Sequence, residues 1–337
     1  MHIASNLDQV VTPTRVALGN FDGVHLGHQR VIQPALQAAG RTDLAALSCP
    51  SGPSISTVVT FAPHPREFFS GQRRSLLTPT PEKAQQLQAL GIEQLVLLPF
   101  DAALAKLSPA EFVDRILLAG LDCRSLSIGA DFHFGAGRTG NAQALEKLLA
   151  VRAVELTVVP LLAAGGDRIS SSRIRAALEA GQVEAIEPLL GRRYDLQGEV
   201  VQGRQLGRTI GFPTANLQLP DRKFTPRLGV YAVEVSSLPD WENKGETAPK
   251  LERSSALLDR YPAVMNIGVR PTVSGEGVTV EVHLLDWQGD LYGQRLKVEL
   301  VKFLRPEQKF DGLDQLQAQI LADAHQARHC LRSLEVA

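Results

Sequence analysis

Two histidines in a glycine-rich turn are the residues best suited to chemistry in the first half of the sequence. The string from Gly19 to His28 reads Gly-Asn-Phe-Asp-Gly-Val-His-Leu-Gly-His. Glycines let backbone N–H groups approach a phosphate, and paired imidazoles can stabilise a triphosphate and departing pyrophosphate. The alternative is an ordinary strand-to-helix turn with two surface histidines. The residues predicted to bind nucleotide are Gly19, Phe21, Gly23 and Gly27, with His25 and His28 as catalytic groups.

A second candidate phosphate-binding sequence runs from Ile169 to Arg175. It places three serines before a helix and two arginines in the first turn of that helix. A serine at a helix start is more often only a cap, whereas an arginine there opposes the helix dipole. That local cost makes sense if Arg173 or Arg175 meets a phosphate. Nucleotide binding is therefore predicted for Ser171, Ser172 and Arg175.

Two aromatic strings in the same half could line a site for a flat ring. They are Thr60-Phe61-Ala62-Pro63-His64-Pro65 and Gly129-Ala130-Asp131-Phe132-His133-Phe134-Gly135. Taken singly, either string could be a loop with core phenylalanines. The turn before His28 lacks the G-x-G-x-x-G fingerprint, and no G-x-x-x-x-G-K-[ST] loop occurs in the sequence.

The second half carries a different set of polar residues. The stretch from Gly203 to Leu217 is rich in glycine and arginine, which indicates a mobile loop that covers phosphate. Thr214 and Asn216 lie two apart, so in an extended stretch their oxygens face one way and suit Mg²⁺. Glu281 lies on the polar side of an alternating strand, Val280 to Leu284, where by base rate it would be an ordinary solvent-facing residue. The loop residues predicted to bind nucleotide are Gly207 and Arg208.

The secondary-structure elements that must position the candidate residues of the first half alternate between strands and helices. Short apolar runs at Arg15 to Leu18, Thr57 to Phe61 and Leu95 to Leu98 are typical of buried strands. Helical stretches separate them, one from about His28 to Ala39 and another opening at the capping box Ser108-Pro109-Ala110-Glu111. Strands separated in this way predict a parallel sheet with helices on both faces, the α/β class.

After Gly181 the pattern changes to strands with turn signals. It predicts a small, mainly antiparallel β-barrel or sandwich, followed by a helix from about Gly312 to Cys330. The change in composition places a domain boundary near Glu187 to Arg192, giving domains of 1–187 and 188–337. The polar stretch from Pro239 to Arg260 lacks periodicity and is expected to be an exposed insertion.

Composition excludes several classes of protein. The net charge of −1 gives no bulk attraction to nucleic acid, so phosphate chemistry must come from local sites. The three cysteines, Cys49, Cys123 and Cys330, have neither a disulfide nor a zinc spacing. No uncharged apolar run approaches the ~20 residues needed to span a bilayer, and the N-terminus lacks a secretory pattern. A cytoplasmic location is expected, with no membrane partner; the oligomeric state is left open.

The strings of the first half resemble a known superfamily. Gly19 to His28 together with Ile169 to Arg175 resembles the nucleotidyltransferases with His-x-Gly-His and Ile-Ser-Ser-Thr-x-Ile-Arg-like signatures, with Ser172 where threonine is usual. The two aromatic strings narrow this resemblance to the FAD synthetase branch, in which such segments help to bind flavin and nucleotide. The flavin-binding residues that the resemblance implies are Phe61, Pro63, His64, Pro65, Asp131 and Phe132.

From about Tyr194 onward, the chain resembles the bacterial riboflavin kinase domain, apart from the stretch 239–260. The resemblance implies that Thr214 and Asn216 hold the metal and that Glu281 is the general base. Both halves in this order resemble the bacterial FAD synthetase family. Such a family is expected to phosphorylate riboflavin to FMN and adenylylate FMN to FAD, with ATP as co-substrate and Mg²⁺ as cofactor.

The two expected reactions need different groups. The phosphate of FMN is already ionised near neutral pH, because its second pKa is ~6, so adenylyl transfer needs charge stabilisation and no base. Riboflavin presents a neutral hydroxyl, from which a carboxylate can take the proton. Three alternatives stay open: one half is catalytic and the other only binds flavin, the nucleotidyltransferase has another acceptor, or the chain is a flavin sensor.

Overall fold

The computed structural model describes residues 1–37, 54–152, 154–203, 207, 211–238, 258–272 and 275–335. The chain divides into two compact units, Met1–Ser171 (unit 1) and Ser172–Ala337 (unit 2). The boundary expected from composition lies farther along the chain. Whether 1–187 and 188–337 are the parts that fold independently stays a prediction.

Unit 1 is built on a parallel sheet of six strands in the order β1-β4-β3-β2-β5-β6. The strands are β1 (His2–Ala4), β2 (Thr14–Leu18), β3 (Ile55–Ala62), β4 (Gln94–Pro99), β5 (Cys123–Gly129) and β6 (Glu155–Val159). The three apolar runs expected to be strands lie within β2, β3 and β4. The sheet of the predicted α/β class is therefore confirmed.

Helices connect these strands. They are α1 (Leu26–Gln37), α2 (Pro65–Ser70), α3 (Thr80–Ala89), α4 (Ala102–Lys106), α5 (Pro109–Glu111), which continues into a π-helical stretch over Phe112–Gly120, and α6 (Ala142–Ala150). The predicted capping box is confirmed, because Ser108 Oγ accepts a hydrogen bond from the Glu111 N–H at 3.3 Å and Glu111 Oε2 accepts one from the Ser108 N–H at 2.9 Å. Helix α1 begins at Leu26 rather than at His28, so His28 lies in its first turn.

Alternate residues of the central strand β2 point to opposite faces of the sheet. Leu18 packs into one core with Phe112 of the π-helical stretch. Ala17 packs into the other core with Ile32 of α1 and Leu87 of α3. Burial of side chains such as these contributes roughly 1.5–3 kcal/mol each. The second core therefore fixes α1 and α3 on the same face of the sheet.

Unit 2 is a closed antiparallel barrel in the order β10-β13-β12-β11-β14-β9, so the barrel alternative is correct and the sandwich is not. A short hairpin at the end of unit 1, β7 (Ala163–Ala164) and β8 (Asp167–Arg168), precedes it. The barrel strands are β9 (Asp195–Val201), β10 (Ala215–Gln218), β11 (Gly229–Ser237), β12 (Tyr261–Thr272), β13 (Gly275–Leu284) and β14 (Arg295–Arg305).

Three further α-helices follow along the described chain. They are α7 (Ser171–Glu179), α8 (Glu187–Leu190) and α9 (Leu313–Glu335). Helix α9 extends past the predicted end at Cys330 and packs Ala327 and Leu331 against Ala232 and Leu285 of the barrel part. Its buried Asp323 accepts two hydrogen bonds from the Arg305 guanidinium of β14, at 2.9 and 2.7 Å.

The expected exposure of the insertion is wrong at Leu258, whereas Asp259 and Arg260 are exposed as expected. Leu258 is only 6% exposed, and its carbonyl accepts the Ser237 N–H at 2.9 Å. Arg260 forms an ion pair with Glu234 at 2.8 Å. These residues anchor the end of the stretch to β11, and a polar sequence pattern does not reveal such pairing. Residues 239–257 lie outside the described residues.

Candidate active sites

The predicted nucleotide turn lies where the strand order of unit 1 changes direction. Strand β2 has β3 on one side and β5 on the other. In open α/β sheets, ligands bind beyond the carboxyl ends of the strands at such a switch point. Gly19 follows β2 there, and the string after Gly129 follows β5. The topology thus brings the first glycine-rich turn and the second aromatic string to one edge of the sheet.

The turn itself has an unusual backbone. Phe21 and Val24 have φ values of 47° and 44°, and Gly23 has 95°. Side-chain-bearing residues seldom adopt this left-handed region, and its cost persists only where surrounding structure enforces it. At Gly27, an added Cβ would lie 3.2 Å from the His25 ring, which explains the glycine between the two histidines.

The two predicted catalytic histidines stack on each other. Their ring centroids lie 3.5 Å apart with an interplanar angle of 14°. The His28 N–H donates to His25 Nδ1 at 3.1 Å. Because Nδ1 accepts, a neutral His25 carries its proton on Nε2, which can then donate to a ligand. The edge of Phe21 contacts His28, with centroids 5.3 Å apart.

Burial and nearby positive charges both disfavour protonation of His28. Its pKa is lowered well below 6.5, first by removal from water and then by the charges of His25, Lys83 and Arg168. Its Nδ1 is buried and has no hydrogen-bond partner in the described part of the chain. A neutral ring with an unsatisfied nitrogen beside positive charges is suited to a polyanionic ligand.

The serine string contributes to both units. Ser171 Oγ donates to the Asp22 carbonyl at 2.7 Å, which ties this residue to the nucleotide turn. Ser172 and Arg175 belong to unit 2, where the Arg175 guanidinium lies over the Phe224 ring, 4.7 Å from its centroid. Phosphate binding by Ser172 and Arg175 stays a prediction.

The first aromatic string lies at the end of β3. Phe61 makes an edge contact with Phe100, with centroids 5.6 Å apart. Pro63 precedes His64, whose Nδ1 accepts the Arg66 N–H at 3.1 Å and caps α2, and Pro65 is the first residue of that helix. Burial, followed by the charge of Arg74, lowers the pKa of His64 to about 4.

The second aromatic string is joined to β8 by an ion pair. Asp131 pairs with Arg168, the same arginine whose charge acts on His28. Phe132 stacks on Phe134 with centroids 5.9 Å apart. Asp131 is thereby linked to the surroundings of the histidines, whereas Phe132 packs against Phe134 and the core of unit 1.

A pocket of about 280 Å³ lies between α1 and the segment that follows β6. Its lining residues are Arg30, Gln33, Pro34, Gln37, Val159, Pro160, Leu161 and Leu162. Pro34 has no N–H, so the Arg30 carbonyl loses the hydrogen bond that a helix would otherwise supply. The pocket therefore combines an apolar floor with amide, guanidinium and carbonyl groups, on the helix that carries His28.

In unit 2, three polar residues form a row across neighbouring strands. Asn216 of β10 and Asn266 of β12 are both directly opposite Glu281 of β13. Residues opposite each other in antiparallel strands share a face, with Cβ atoms about 4.5–5.5 Å apart. Val280 and Val282 are buried at 2% and 0% exposure, and Glu281 is partly exposed. The prediction that Glu281 lies on the polar side of its strand is confirmed.

The glycine-rich loop approaches the same row. A Cβ added to Gly203 would collide with the side chain of Asn216, and one added to Gly207 would lie 3.5 Å from Thr214 Oγ1. The backbone at Gly203 and Gly207 therefore lies close to the two predicted metal ligands. Thr214 is partly buried just before β10, while Arg208 lies outside the described residues.

The oxygen atoms of this row suit a hard cation. A hydroxyl, an amide and an adjacent carboxylate are the ligands that Mg²⁺ accepts alongside water and substrate phosphates. Among the residues that the structure describes, no group of three or more His, Cys, Asp and Glu side chains could hold a metal. The predicted site at Thr214, Asn216 and Glu281 instead combines a hydroxyl and an amide with a single carboxylate. This set of oxygen ligands fits magnesium.

Sequence reasoning missed three residues at these sites. Lys83 and Arg168 act on His28, and Asn266 completes the row in unit 2. A lysine in a helix looks like an ordinary surface residue, so no local signal distinguishes Lys83. The string Asn266-Ile267-Gly268 could have indicated Asn266, had the register of β12 and β13 been known.

Comparisons with known proteins cover nearly the whole chain. The family described as FAD synthetase matches residues 8–173, and the family described as riboflavin kinase matches residues 190–331. A bifunctional riboflavin kinase/FMN adenylyltransferase of Pseudomonas fluorescens is 38% identical over 312 residues, covering 92% of this chain and 91% of the relative. One of Escherichia coli K12 is 38% identical over 314 residues, covering 93% and 91%.

A solved structure has the same fold. A crystal structure described as a macrolide-efflux protein from Streptococcus pneumoniae superposes with a TM-score of 0.78 at 30% identity, covering 97% of this chain and 98% of that one. Within the described residues, this chain has no helix that is long and apolar enough to cross a membrane.

Proposed function

Because this chain belongs to the family of bifunctional riboflavin kinase/FMN adenylyltransferases, we propose that its two units perform the two reactions separately. The kinase is assigned to 188–337 and the adenylyltransferase to 1–187. Two unlike sets of groups support this division: cations and imidazoles in unit 1, and oxygen ligands with a carboxylate in unit 2. ATP is the donor in both reactions, riboflavin and FMN are the acceptors, and the enzyme works in the cytoplasm.

In unit 1 the phosphate of FMN attacks the α-phosphorus of ATP and pyrophosphate leaves. The nucleophile is already ionised, so this site needs no base. Nε2 of His25 and the neutral ring of His28 donate to the phosphate oxygens as charge moves onto pyrophosphate. The absence of side chains at Gly19, Gly23 and Gly27 would let the triphosphate approach the backbone of the turn closely.

The flat rings of both substrates need apolar walls. We assign the flavin to the aromatic strings, with Phe61, Pro63, His64, Pro65, Asp131 and Phe132 in contact with it or supporting it. The 280 Å³ pocket beside α1 suits the base of ATP, because it offers apolar surface and hydrogen-bonding edges on the helix that carries His28.

In unit 2 the hydroxyl of riboflavin attacks the γ-phosphorus of ATP and ADP leaves. Glu281 takes the hydroxyl proton, a role that typically contributes ~10²–10⁴-fold. Thr214 and Asn216 would hold Mg²⁺, which supplies charge neutralisation for the phosphates when bound. Gly207 and Arg208 would cover the nucleotide from the loop.

The decisive experiment is chromatography of riboflavin incubated with ATP and Mg²⁺ and the purified chain. FMN should appear first and FAD should follow, and chelation of the metal should stop both. Accumulation of FMN without FAD would support the alternative in which only the kinase half is catalytic. No FMN at all, combined with conversion of supplied FMN to FAD, would assign catalysis to unit 1 alone.

A further inference from the structure

We propose that Lys83 is a positioning residue for adenylyl transfer, which anchors the Gly19–His28 turn through Asn20 and holds a positive charge beside His28. This inference rests on the proposed function of unit 1. It adds a residue from α3 that lies outside the strings singled out in the sequence.

The burial of Lys83 is itself unusual. It lies in the first turn of α3 and is only 8% exposed. Lysine is almost never fully buried unless it is paired, because its ammonium group loses hydration. A helix that needed only to cover the sheet could carry an apolar residue here without that cost. The burial of an ammonium group here therefore points to a polar role for Lys83.

That group binds the start of the turn. Lys83 Nζ donates to the Asn20 carbonyl at 3.0 Å, and Thr60 Oγ1 donates to the same carbonyl at 2.9 Å. Both lone pairs of this oxygen are thereby used. The next residue, Phe21, has the unfavourable φ of 47°. Two donors to the Asn20 carbonyl fix the orientation of the Asn20–Phe21 peptide, which directly precedes the strained backbone of Phe21.

The segment that leads into α3 holds the rest of the turn. Asp22 Oδ1 accepts the Leu77 N–H at 2.8 Å and the Thr78 N–H at 3.3 Å. The Gly23 N–H donates to Thr78 Oγ1 at 2.9 Å. Residues 77–83 and Thr60 therefore hold three of the four residues from Asn20 to Gly23, namely Asn20, Asp22 and Gly23, in the shape that leads to the histidines.

The charge of Lys83 has a second effect on the site. Two positive side chains act on His28, Lys83 from α3 and Arg168 from β8, and both lower its pKa, as does His25 when it is protonated. Without a ligand their mutual repulsion is unfavourable. A triphosphate relieves that repulsion, so the same charges favour binding of the anion.

The test compares variants of the full-length chain. Lys83→Met keeps the length of the side chain but removes its donors and charge, and Lys83→Arg keeps both. Lys147→Met is the matched control, because Lys147 is an exposed lysine of α6 in the same unit. A displacement of about 1 Å at a reacting group can cost about 10²-fold, so kcat/KM for FMN adenylylation should fall about 10²-fold in Lys83→Met. Lys83→Arg should recover part of it.

Riboflavin phosphorylation is measured on the same preparations and should stay at the parent rate. Adenylylation by Lys83→Met at the rate of Lys147→Met overturns the proposal. If the parent itself makes no FAD from FMN, the proposed function fails instead. Should Lys83→Met not fold, Lys83→Leu takes its place, since leucine suits a buried helix position and also removes the donors and the charge; an unchanged adenylylation rate there also overturns the proposal.

A spectroscopic measurement separates positioning from mere stability. Titration of His28 by NMR of the histidine-labelled chain, assigned with His28→Gln, should give a higher pKa in Lys83→Met than in the parent and in Lys147→Met. The shift follows from loss of the Lys83 charge, which disfavours protonation of His28. An unchanged His28 titration in a folded Lys83→Met variant would refute the placement of the charge.

Discussion

The two sites differ in their backbone: the site in unit 1 lies on an irregular turn, and the site in unit 2 lies on regular antiparallel strands. The turn in unit 1 has left-handed residues at Phe21 and Val24 and is held by hydrogen bonds from neighbouring segments. The row in unit 2 is set by the register of regular antiparallel strands, which aligns Asn216, Glu281 and Asn266 without strain. A strained site therefore depends on residues outside its motif, whereas a site on a regular sheet depends mainly on the barrel itself.

Their charges differ in the same way. Positive groups surround His28, which suits a reaction whose nucleophile is already an anion. The row in unit 2 contains a carboxylate and amides, which suits deprotonation of a neutral hydroxyl. The comparison leads to four predictions, taken from the largest expected effect to the smallest.

The largest effect is expected from Glu281→Gln. This change keeps shape and hydrogen bonding but removes the base, so riboflavin phosphorylation should fall by ~10²–10⁴-fold. Adenylylation of supplied FMN should continue at the parent rate. Both rates are measured on one purified variant. A kinase rate near that of the parent would remove Glu281 from the mechanism, and equal losses in both reactions would indicate misfolding.

His28→Ala should separate the activities in the opposite sense. Loss of a group that stabilises developing charge typically costs ~10²–10³-fold, so FAD formation should fall by about that factor while FMN accumulates. Chromatography of products from riboflavin and ATP detects this directly. FAD formation at the parent rate would contradict the assignment of the histidine pair.

The third prediction concerns which residues before the barrel unit 2 needs in order to fold stably. The carbonyl of Leu178 accepts the Arg227 N–H at 3.0 Å, and Ile186 and Leu189 are buried. A fragment of residues 172–337 should therefore fold and phosphorylate riboflavin. A fragment of 192–337 should be less stable by several kcal/mol, because each lost apolar side chain contributes roughly 1.5–3 kcal/mol.

Urea unfolding and kinase assays of the two fragments provide the test. Equal stability would show that the residues before Arg192 contribute nothing to the barrel. A folded 172–337 fragment without kinase activity would show that the row in unit 2 is not sufficient by itself.

The smallest effect should come from His64. Its pKa in the folded chain is about 4, below the ordinary 6.5, so the unfolded chain takes up the proton first as the pH falls. Its contribution to stability is therefore complete above pH 6.5 and is lost on going from 6.5 towards 4. Solvent screening at this partly exposed ring limits the change to on the order of 1 kcal/mol.

His64→Asn tests this prediction, because asparagine can cap α2 but does not titrate. Thermal unfolding from pH 7 to 4 should decline less steeply in the variant than in the parent. Equal slopes would mean that protonation of His64 does not affect folding of unit 1.

Sequence patterns predicted those parts of the fold that have strong periodicity. The buried runs of β2, β3 and β4 and the capping box at Ser108 were each identifiable from a few neighbouring residues. The start of α1 was placed two residues late, because the left-handed Val24 that leads into it has no sequence signature. Leu258 was wrongly expected to be exposed, because its pairing with Ser237 is non-local.

The candidate sites show the same limit. Motifs identified the histidines and Glu281, since these residues lie within dense local strings. Lys83 and Arg168 reach the His28 surroundings from α3 and β8, and Asn266 joins Glu281 through strand register. Such residues become visible only when distant segments are brought together.

The order of the two units along the chain also determines when each site can first assemble during synthesis. All of unit 1 precedes residue 172, so the nucleotide turn and the helices that hold it can assemble on a ribosome that is still translating the rest. Asn216 and Glu281 meet only after β13 has been synthesised, and the barrel closes through β14 and β9 later still. A chain that terminated between residues 187 and 281 would therefore contain every residue proposed for adenylyl transfer and would lack Glu281.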